Sequence, residues 1–251
     1  MYGAQTFLVF PGTRLPNRPL DHPFTPERLV LKPGSDVELH GMLFAPRGER
    51  SGGLVIGFGG NAQDADELGQ DLAGRFPDLH VSVFHYRGYG PSSGKPSEQA
   101  VLADALTVHD MLKARLEPEK TFAYGVSLGS GVAAYLAQKR DLDGAFLITP
   151  YDSIEAVAKD HYPWLPVGLF LKHRFPSTEF LRGHSTPIAI VAAEQDEVVK
   201  PDRTDGLRAV VPRLVFDRTI EGATHVDLYD RTSFEDAVRE AFQALSKGER
   251  E

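Results

Sequence analysis

From Gly53 onward, short apolar runs alternate with stretches of helical periodicity, and this rhythm narrows the fold more than any other feature of the chain. "GLVIGF" (53–58), "HVSVFHY" (80–86), "TFAYGV" (121–126), "GAFLIT" (144–149), "PIAIVAA" (187–193) and "RLVFDRTI" (213–220) read as strands. Most of these runs are continuously apolar, the pattern of strands covered on both faces. Between the first two, Ala65, Leu68, Leu72, Ala73 and Phe76 recur at helical spacing. "SEQAVLADALTVHDMLKARL" gathers Val101, Leu102, Ala105, Val108, Leu112 and Leu116 on one helix face, with Ser97 or Glu98 at its start and Pro118 just beyond its end. Residues 129–140, 202–210 and 231–247 also read as helices. Ahead of this series, "ERLVLKPGSDVELHGMLFAP" holds two alternating runs around a turn, a β-hairpin. The count is eight core strands. Strand–helix alternation with right-handed crossovers gives a mostly parallel sheet with helices on both faces. Such sheets carry their sites at the carboxyl ends of the strands.

A length of 251 residues suits one large α/β domain, expected here over 27–251. Residues 1–26 read as an extended arm, since Pro11, Pro16, Pro19, Pro23 and Pro26 lack amide donors and fix φ. Residues 151–184 break the rhythm with "HYPWLPVGLFLKHRFP", aromatic and proline-rich, and read as a small cap inserted into the domain. A net charge of −8 and the lack of any Lys/Arg run argue against nucleic acid, whose phosphates need clustered cations. There is no cysteine, which excludes disulfides, thiol nucleophiles and thiolate metal sites. No run reaches the ~18–20 apolar residues of a membrane span, and the first residues lack the basic head and apolar centre of a leader. These features fit a cytoplasmic protein; a leader or anchor removed ahead of Met1 would make it exported or membrane-anchored instead.

Ser127 stands in Gly125-Val126-Ser127-Leu128-Gly129 at the carboxyl end of the fifth strand, where a helix begins. In that setting the glycines permit a sharp bend that lifts the hydroxyl above the sheet. The competing role for such a serine is a helix N-cap. A serine hydroxyl attacks only when a base takes its proton, and the base is a histidine held by a carboxylate. In this order of elements the acid follows the seventh strand and the histidine the last. "IVAAEQDEVVKPD" offers Asp196 as the acid with Glu194 in reserve, while Asp202 suits a helix N-cap behind Pro201. "EGATHVDL" places His225 among small residues, and the other eight histidines read as solvated or hydrogen-bonded surface groups. The oxyanion of the tetrahedral intermediate needs backbone donors. Leu128 N–H is one candidate; Asn61 N–H, from the glycine-rich "GFGGNAQD", is the other. That loop also fits G-x-G-x-x-A, but the next strand ends "VFHYRG" without the acid a dinucleotide ribose requires. No H-E-x-x-H and no tight His/carboxylate grouping points to a metal, and no cofactor is called for.

The stretches "GGNAQD", "HYRGYGPSSGKPSE", "YGVSLGSGVA", "TPYDSI", "AAEQDEVV" and "GATHVDL" together resemble the α/β-hydrolase superfamily. The nearer resemblance is to the abhydrolase-domain-containing serine hydrolases, a branch with membrane-associated members and protein depalmitoylases. The likeness runs in order from about residue 27 to the last helix. Carried over by position, it implies Ser127 as nucleophile, Asp196 as acid, His225 as base, and Asn61 and Leu128 as the oxyanion hole. Where family members often read H-G-N-A-G, this chain reads Gly59-Gly60-Asn61-Ala62-Gln63, so support of that loop comes into question. In "HYRGYG", Tyr86, Arg87 and Tyr89 either meet substrate or hold the loop, with Arg87 favoured to bind a carboxylate or backbone carbonyls.

The expected activity is a serine carboxylesterase, an acyl-thioesterase of depalmitoylase type being the close rival and a non-catalytic hydrolase-like binding module the third reading. The expected partner is a small acyl ester or thioester. Tyr162, Trp164, Leu165 and Phe170 of the cap are candidates to line an acyl pocket, or else to pack on the body. Their apolar rim would also suit peripheral contact with a bilayer.

Overall fold

Strands β1 (Glu27–Gly34) and β2 (Val37–Phe44) form the expected antiparallel hairpin, Leu29 opposite Gly41 and Leu31 opposite Leu39. The computed structural model describes residues 6, 9–12, 25–48 and 52–247, with Leu169 by its backbone alone. Most of the proline-rich arm expected over residues 1–26 lies outside the described residues. Two compact units divide the chain, Met1–Phe122 and Ala123–Glu251.

In the first unit the strand order is β1-β2-β4-β3, with β3 (Leu54–Phe58) parallel to β4 (His80–Phe84) and β4 antiparallel to β2. The crossover from β3 to β4 is helix α1 (Ala65–Arg75), capped by Asp64, whose carboxylate accepts from Asp66 N–H. Helix α2 (Glu98–Leu116) starts where the sequence places it: the Ser97 hydroxyl accepts from Ala100 N–H at 3.2 Å. It buries Val101, Leu102, Ala105, Val108 and Leu112 on one face. β5 (Thr121–Val126) leads into the second unit, where β6 (Gly144–Ile148), β7 (Ile188–Ala193) and β8 (Leu214–Ile220) follow it in order. β6, β7 and β8 run parallel. Helix α3 (Leu128–Lys139) connects β5 to β6. The expected cap contains three short helices, α4 (Ile154–His161), α5 (Val167–Phe170) and α6 (Ser177–Leu181). Helix α7 (Pro201–Arg208) and the long α8 (Thr232–Lys247), which packs on β6–β8, complete the unit.

Burial follows the hydrophobic pattern. Every residue of β3, β5, β6 and β7 is buried, as continuous apolar runs require. β8, last in its order, is half covered and carries Asp217 and Arg218. Asp202 differs from expectation. α7 begins with Pro201 in its first turn and Lys200 at the cap, which puts Asp202 inside the helix. A proline's missing N–H and fixed φ suit the first helical position, so the proline sets the start.

Two charge groups brace the first unit. Arg87 makes a two-pronged bond to Asp104 on α2, with Nε at 2.9 Å from Oδ2 and Nη2 on Oδ1, which gives Arg87 the carboxylate-binding role. Asp66 accepts from Arg28 at 2.8 Å on one oxygen and meets His85 Nε2 at 2.8 Å on the other. Burial pushes the Asp66 carboxyl up, but the bonds from His85 and Arg28 outweigh it and hold the group below its ordinary value.

Ile190 is fully buried at the centre of β7. Ile190→Ala is expected to lower unfolding free energy by about 2–5 kcal/mol, read from urea denaturation. A carboxyl held low in the folded state contributes stability above its unfolded pKa of ~3.9, and loses it as pH falls through the folded value. Denaturation midpoints taken from pH 6 to pH 3 are therefore expected to fall more steeply below about pH 4 for the wild type than for Asp66→Asn. Equal slopes would remove Asp66 from the acid response.

Candidate active site

Ser127 sits between β5 and α3 with φ +48° and ψ −114°. That region is costly for a residue with a Cβ, about 1–3 kcal/mol, and persists only where the surroundings impose it. They do so here. Ser127 N–H donates to Ile148 O at 2.9 Å, Ser130 N–H donates back to Ser127 O at 2.8 Å, and the buried Tyr151 hydroxyl donates to Leu128 O at 3.0 Å. Gly125 is obligatory, because a Cβ there would stand 2.3 Å from Gly129 O and 2.7 Å from Ser130 Cα. Ser127 occupies the N-cap position of α3, yet its hydroxyl makes no capping bond. The capping role is thereby excluded, and the hydroxyl turns elsewhere.

It turns to His225. Ser127 Oγ lies 3.2 Å from His225 Nε2, and His225 Nδ1 lies 2.7 Å from Asp196 Oδ2. The other oxygen, Asp196 Oδ1, accepts from Val198 N–H at 2.9 Å and Val199 N–H at 2.6 Å. A carboxylate only accepts, so Nδ1 carries the imidazole proton and Nε2 is left to accept from the serine. The Asp196 side chain is 3% exposed and that of His225 14%, so the carboxylate is sealed and the imidazole is reachable.

The loops holding Asp196 and His225 are stitched to each other. Glu194 N–H donates to Ile220 O, Gln195 N–H donates to Ala223 O, and Glu194 Oε2 accepts from Gly222 N–H at 2.9 Å. Glu194, the reserve acid, is thus an anchor of the histidine loop. Thr224 and Asp227 bond reciprocally around His225, and Arg231 pairs with Asp227. Arg231 first, then the Thr224 amide, hold the Asp227 carboxyl down at about 2. Tyr229 has no motif to mark it. Its hydroxyl lies 3.5 Å from Thr149 Oγ1, and burial, aided by the Asp196 charge, pushes the phenol up to about 12.

Among the other expected residues, Asn61 belongs to the first unit, where its carbonyl accepts from Tyr89 Oη at 2.8 Å. Leu128 N–H lies in the first turn of α3, where helix amides lack intrahelical acceptors. Trp164, Leu165, Phe170 and Tyr162 are exposed, Trp164 by 74%. His161, at the end of α4, meets Val198 O at 2.8 Å and ties the cap to the acid loop. Three of the histidines expected at the surface, His85, His109 and His173, are buried. The His/carboxylate grouping the sequence hides is Asp64, Asp66 and His85, brought together by the β3–α1 turn and the end of β4. Its atoms already serve Arg28, the α1 cap and each other, so the donor set is spent on structure. Among the described residues, no helix is long and apolar enough to cross a membrane.

The profile of the α/β hydrolase fold family matches residues 54–176. Uncharacterized protein MT2364 of Mycobacterium tuberculosis is 32% identical over 252 residues, covering 94% of this chain and 89% of that one. The lysophosphatidylserine lipase ABHD12 of Danio rerio is 36% identical over 138 residues, 48% of this chain and 36% of the lipase. The solved Pyrococcus furiosus esterase Pf2001 superposes with a TM-score of 0.75 at 15% identity, over 92% of this chain and 96% of the esterase, a likeness of fold. The eight-stranded α/β-hydrolase fold expected from the sequence is the fold found.

Gly125→Ala is expected to collapse soluble yield or cut stability by at least about 2 kcal/mol, since backbone rather than a side-chain tip blocks the added methyl. Gly74→Ala, exposed on α1 with nothing within 4 Å, is the control and is expected to stabilise by up to about 1 kcal/mol. Thermal melts of the pair decide.

Proposed function

The chain belongs to the α/β-hydrolase superfamily, and we propose that it is a serine hydrolase cleaving carboxylic esters through an acyl-serine intermediate. The observation that carries this reading is the unbroken relay from Ser127 Oγ to His225 to Asp196, at 3.2 and 2.7 Å. His225 Nε2 accepts the serine proton as Oγ bonds to the carbonyl carbon. Asp196 keeps the ring in the required tautomer and stabilises the imidazolium that forms. The carbonyl oxygen becomes an oxyanion, for which Leu128 N–H and Asn61 N–H are the assigned donors. His225 then returns the proton to the leaving alkoxide, the acyl group stays on Ser127, and water repeats the sequence to release the acid.

The relatives named lysophosphatidylserine lipase and the neighbour named esterase favour an oxygen ester over a thioester. The exposed apolar residues Tyr162, Trp164, Leu165 and Phe170 suit the acyl chain of such a substrate. A binding module without turnover has no need for a strained serine, a histidine in the correct tautomer and a sealed acid in one line.

A fluorophosphonate probe is expected to label the wild type and not Ser127→Ala. Asp196→Asn is expected to lower kcat on the order of 10⁴-fold toward p-nitrophenyl esters. In a series of increasing acyl length, tested as p-nitrophenyl esters and as matching thioesters, the esters are expected to turn over faster. Faster thioester turnover would transfer the assignment to a thioesterase, and rates at buffer level in both series would favour a binding module.

A further inference from the structure

We propose that Gln63, Tyr86 and Tyr89 are positioning residues that lock the Gly59–Asn61 loop so that Asn61 N–H is held ready as an oxyanion donor; this rests on the reading of Asn61 given above. Four bonds within the first unit carry it. Tyr86 Oη donates to Gly59 O at 2.8 Å, and Tyr89 Oη donates to Asn61 O at 2.8 Å. Gly60 N–H donates to Gln63 Oε1 at 3.0 Å, and Gln63 N–H donates to Gly60 O at 3.3 Å. The carbonyl on each side of Gly60, and both polar groups of Gly60 itself, are therefore committed. The peptide plane that presents Asn61 N–H is the Gly60–Asn61 plane, whose carbonyl is the one Gln63 N–H takes.

The direction of the Tyr89 bond is fixed from the other side. A backbone hydrogen bond from Gly12 reaches the same phenol oxygen, so the phenol's single proton is left for Asn61 O. Tyr89 is 2% exposed, and burial keeps the phenol protonated. The Tyr86 and Tyr89 rings meet edge to face, with centroids 5.6 Å apart at 86°. Gly59 has its own part. A Cβ there would already lie 3.4 Å from Gln63 Oε1, so any longer side chain would press on the amide that holds Gly60. The two positions where this chain departs from H-G-N-A-G thus act together: the small residue at 59 admits the long one at 63.

A loop this rich in glycine gains little from packing and is ordered by hydrogen bonds. Preorganised donors matter in the transition state and not in the ground state, which gives the role a signature distinct from general stability. The measurement compares Tyr89→Phe and Gln63→Leu with the wild type on p-nitrophenyl butyrate, alongside inhibition by an arylboronic acid that mimics the tetrahedral intermediate. Each variant is expected to lose roughly 10-fold or more in kcat with KM within about 2-fold, and to bind the boronate weaker by a matching factor. The exposed Lys113→Ala is expected to change neither. Wild-type kcat in both loop variants, a loss of kcat without loss of boronate affinity, or a loss that scales with a falling melting temperature would overturn the proposal. Failure of the parent reading looks different: the wild type itself would escape fluorophosphonate labelling, and the positioning role would fall with it.

Discussion

The backbone of Ser127 is the constraint around which the second unit is arranged. A residue with a Cβ is held at φ +48°, and three neighbouring bonds from β6, α3 and the segment after β6 keep it there. The geometry that makes the turn costly also withdraws the hydroxyl from capping α3 and directs it at His225. Because Gly125 must pass within contact of Gly129 O, strand, turn and helix are specified together. One strained residue thus links the packing of β5 and α3 to the placement of the Ser127 hydroxyl beside His225.

Asp196 and His225 face a different problem, since each stands on a loop. Loops are ordered by the bonds they make, and here they bond mainly to each other. Glu194, Gln195 and Asp196 reach across to Gly222, Ala223 and His225 in succession. The Asp196 carboxylate is sealed yet surrounded by three N–H donors, which is how a buried anion is tolerated. Two of these donors, the Val198 and Val199 amides, come from the carboxylate's own loop, and the third, His225 Nδ1, comes from the loop after β8, so the carboxylate joins the two loops.

Much of this was legible in the sequence because it is local. Continuous apolar runs gave β3, β5, β6 and β7, and Gly-x-Ser-x-Gly at a strand–helix junction gave the elbow. Ser127, Asp196 and His225, which the structure brings within hydrogen-bond reach of one another, stand at or just beyond strand ends, where the order of elements directs the search. What the sequence concealed depends on partners far along the chain. Asp66 meets His85 nineteen residues away and Arg28 from β1, and neither pairing leaves a pattern. Tyr229 and Tyr89 act through hydroxyls aimed at distant backbone or side-chain oxygens, and an aromatic residue looks the same in a core as in a brace. Asp202 was misplaced for a local reason: two helix-start signals lay side by side, and proline prevailed over the capping carboxylate.

The two halves of the proposed chemistry are made rigid in different ways, and the difference follows from what each must present. The relay is built of side chains, so it can be fixed by packing, burial and ion pairing. An oxyanion donor from a glycine-rich loop is a peptide N–H with no side chain of its own to pack. Only its neighbouring carbonyls and amides can be gripped, and here long polar side chains and one backbone N–H supply the grip. Tyr86 and Tyr89, carried just beyond β4, and Gln63, in the loop itself, have the reach and the chemistry for this. Their convergence on one tripeptide fixes its backbone groups in the way the proposed oxyanion role requires.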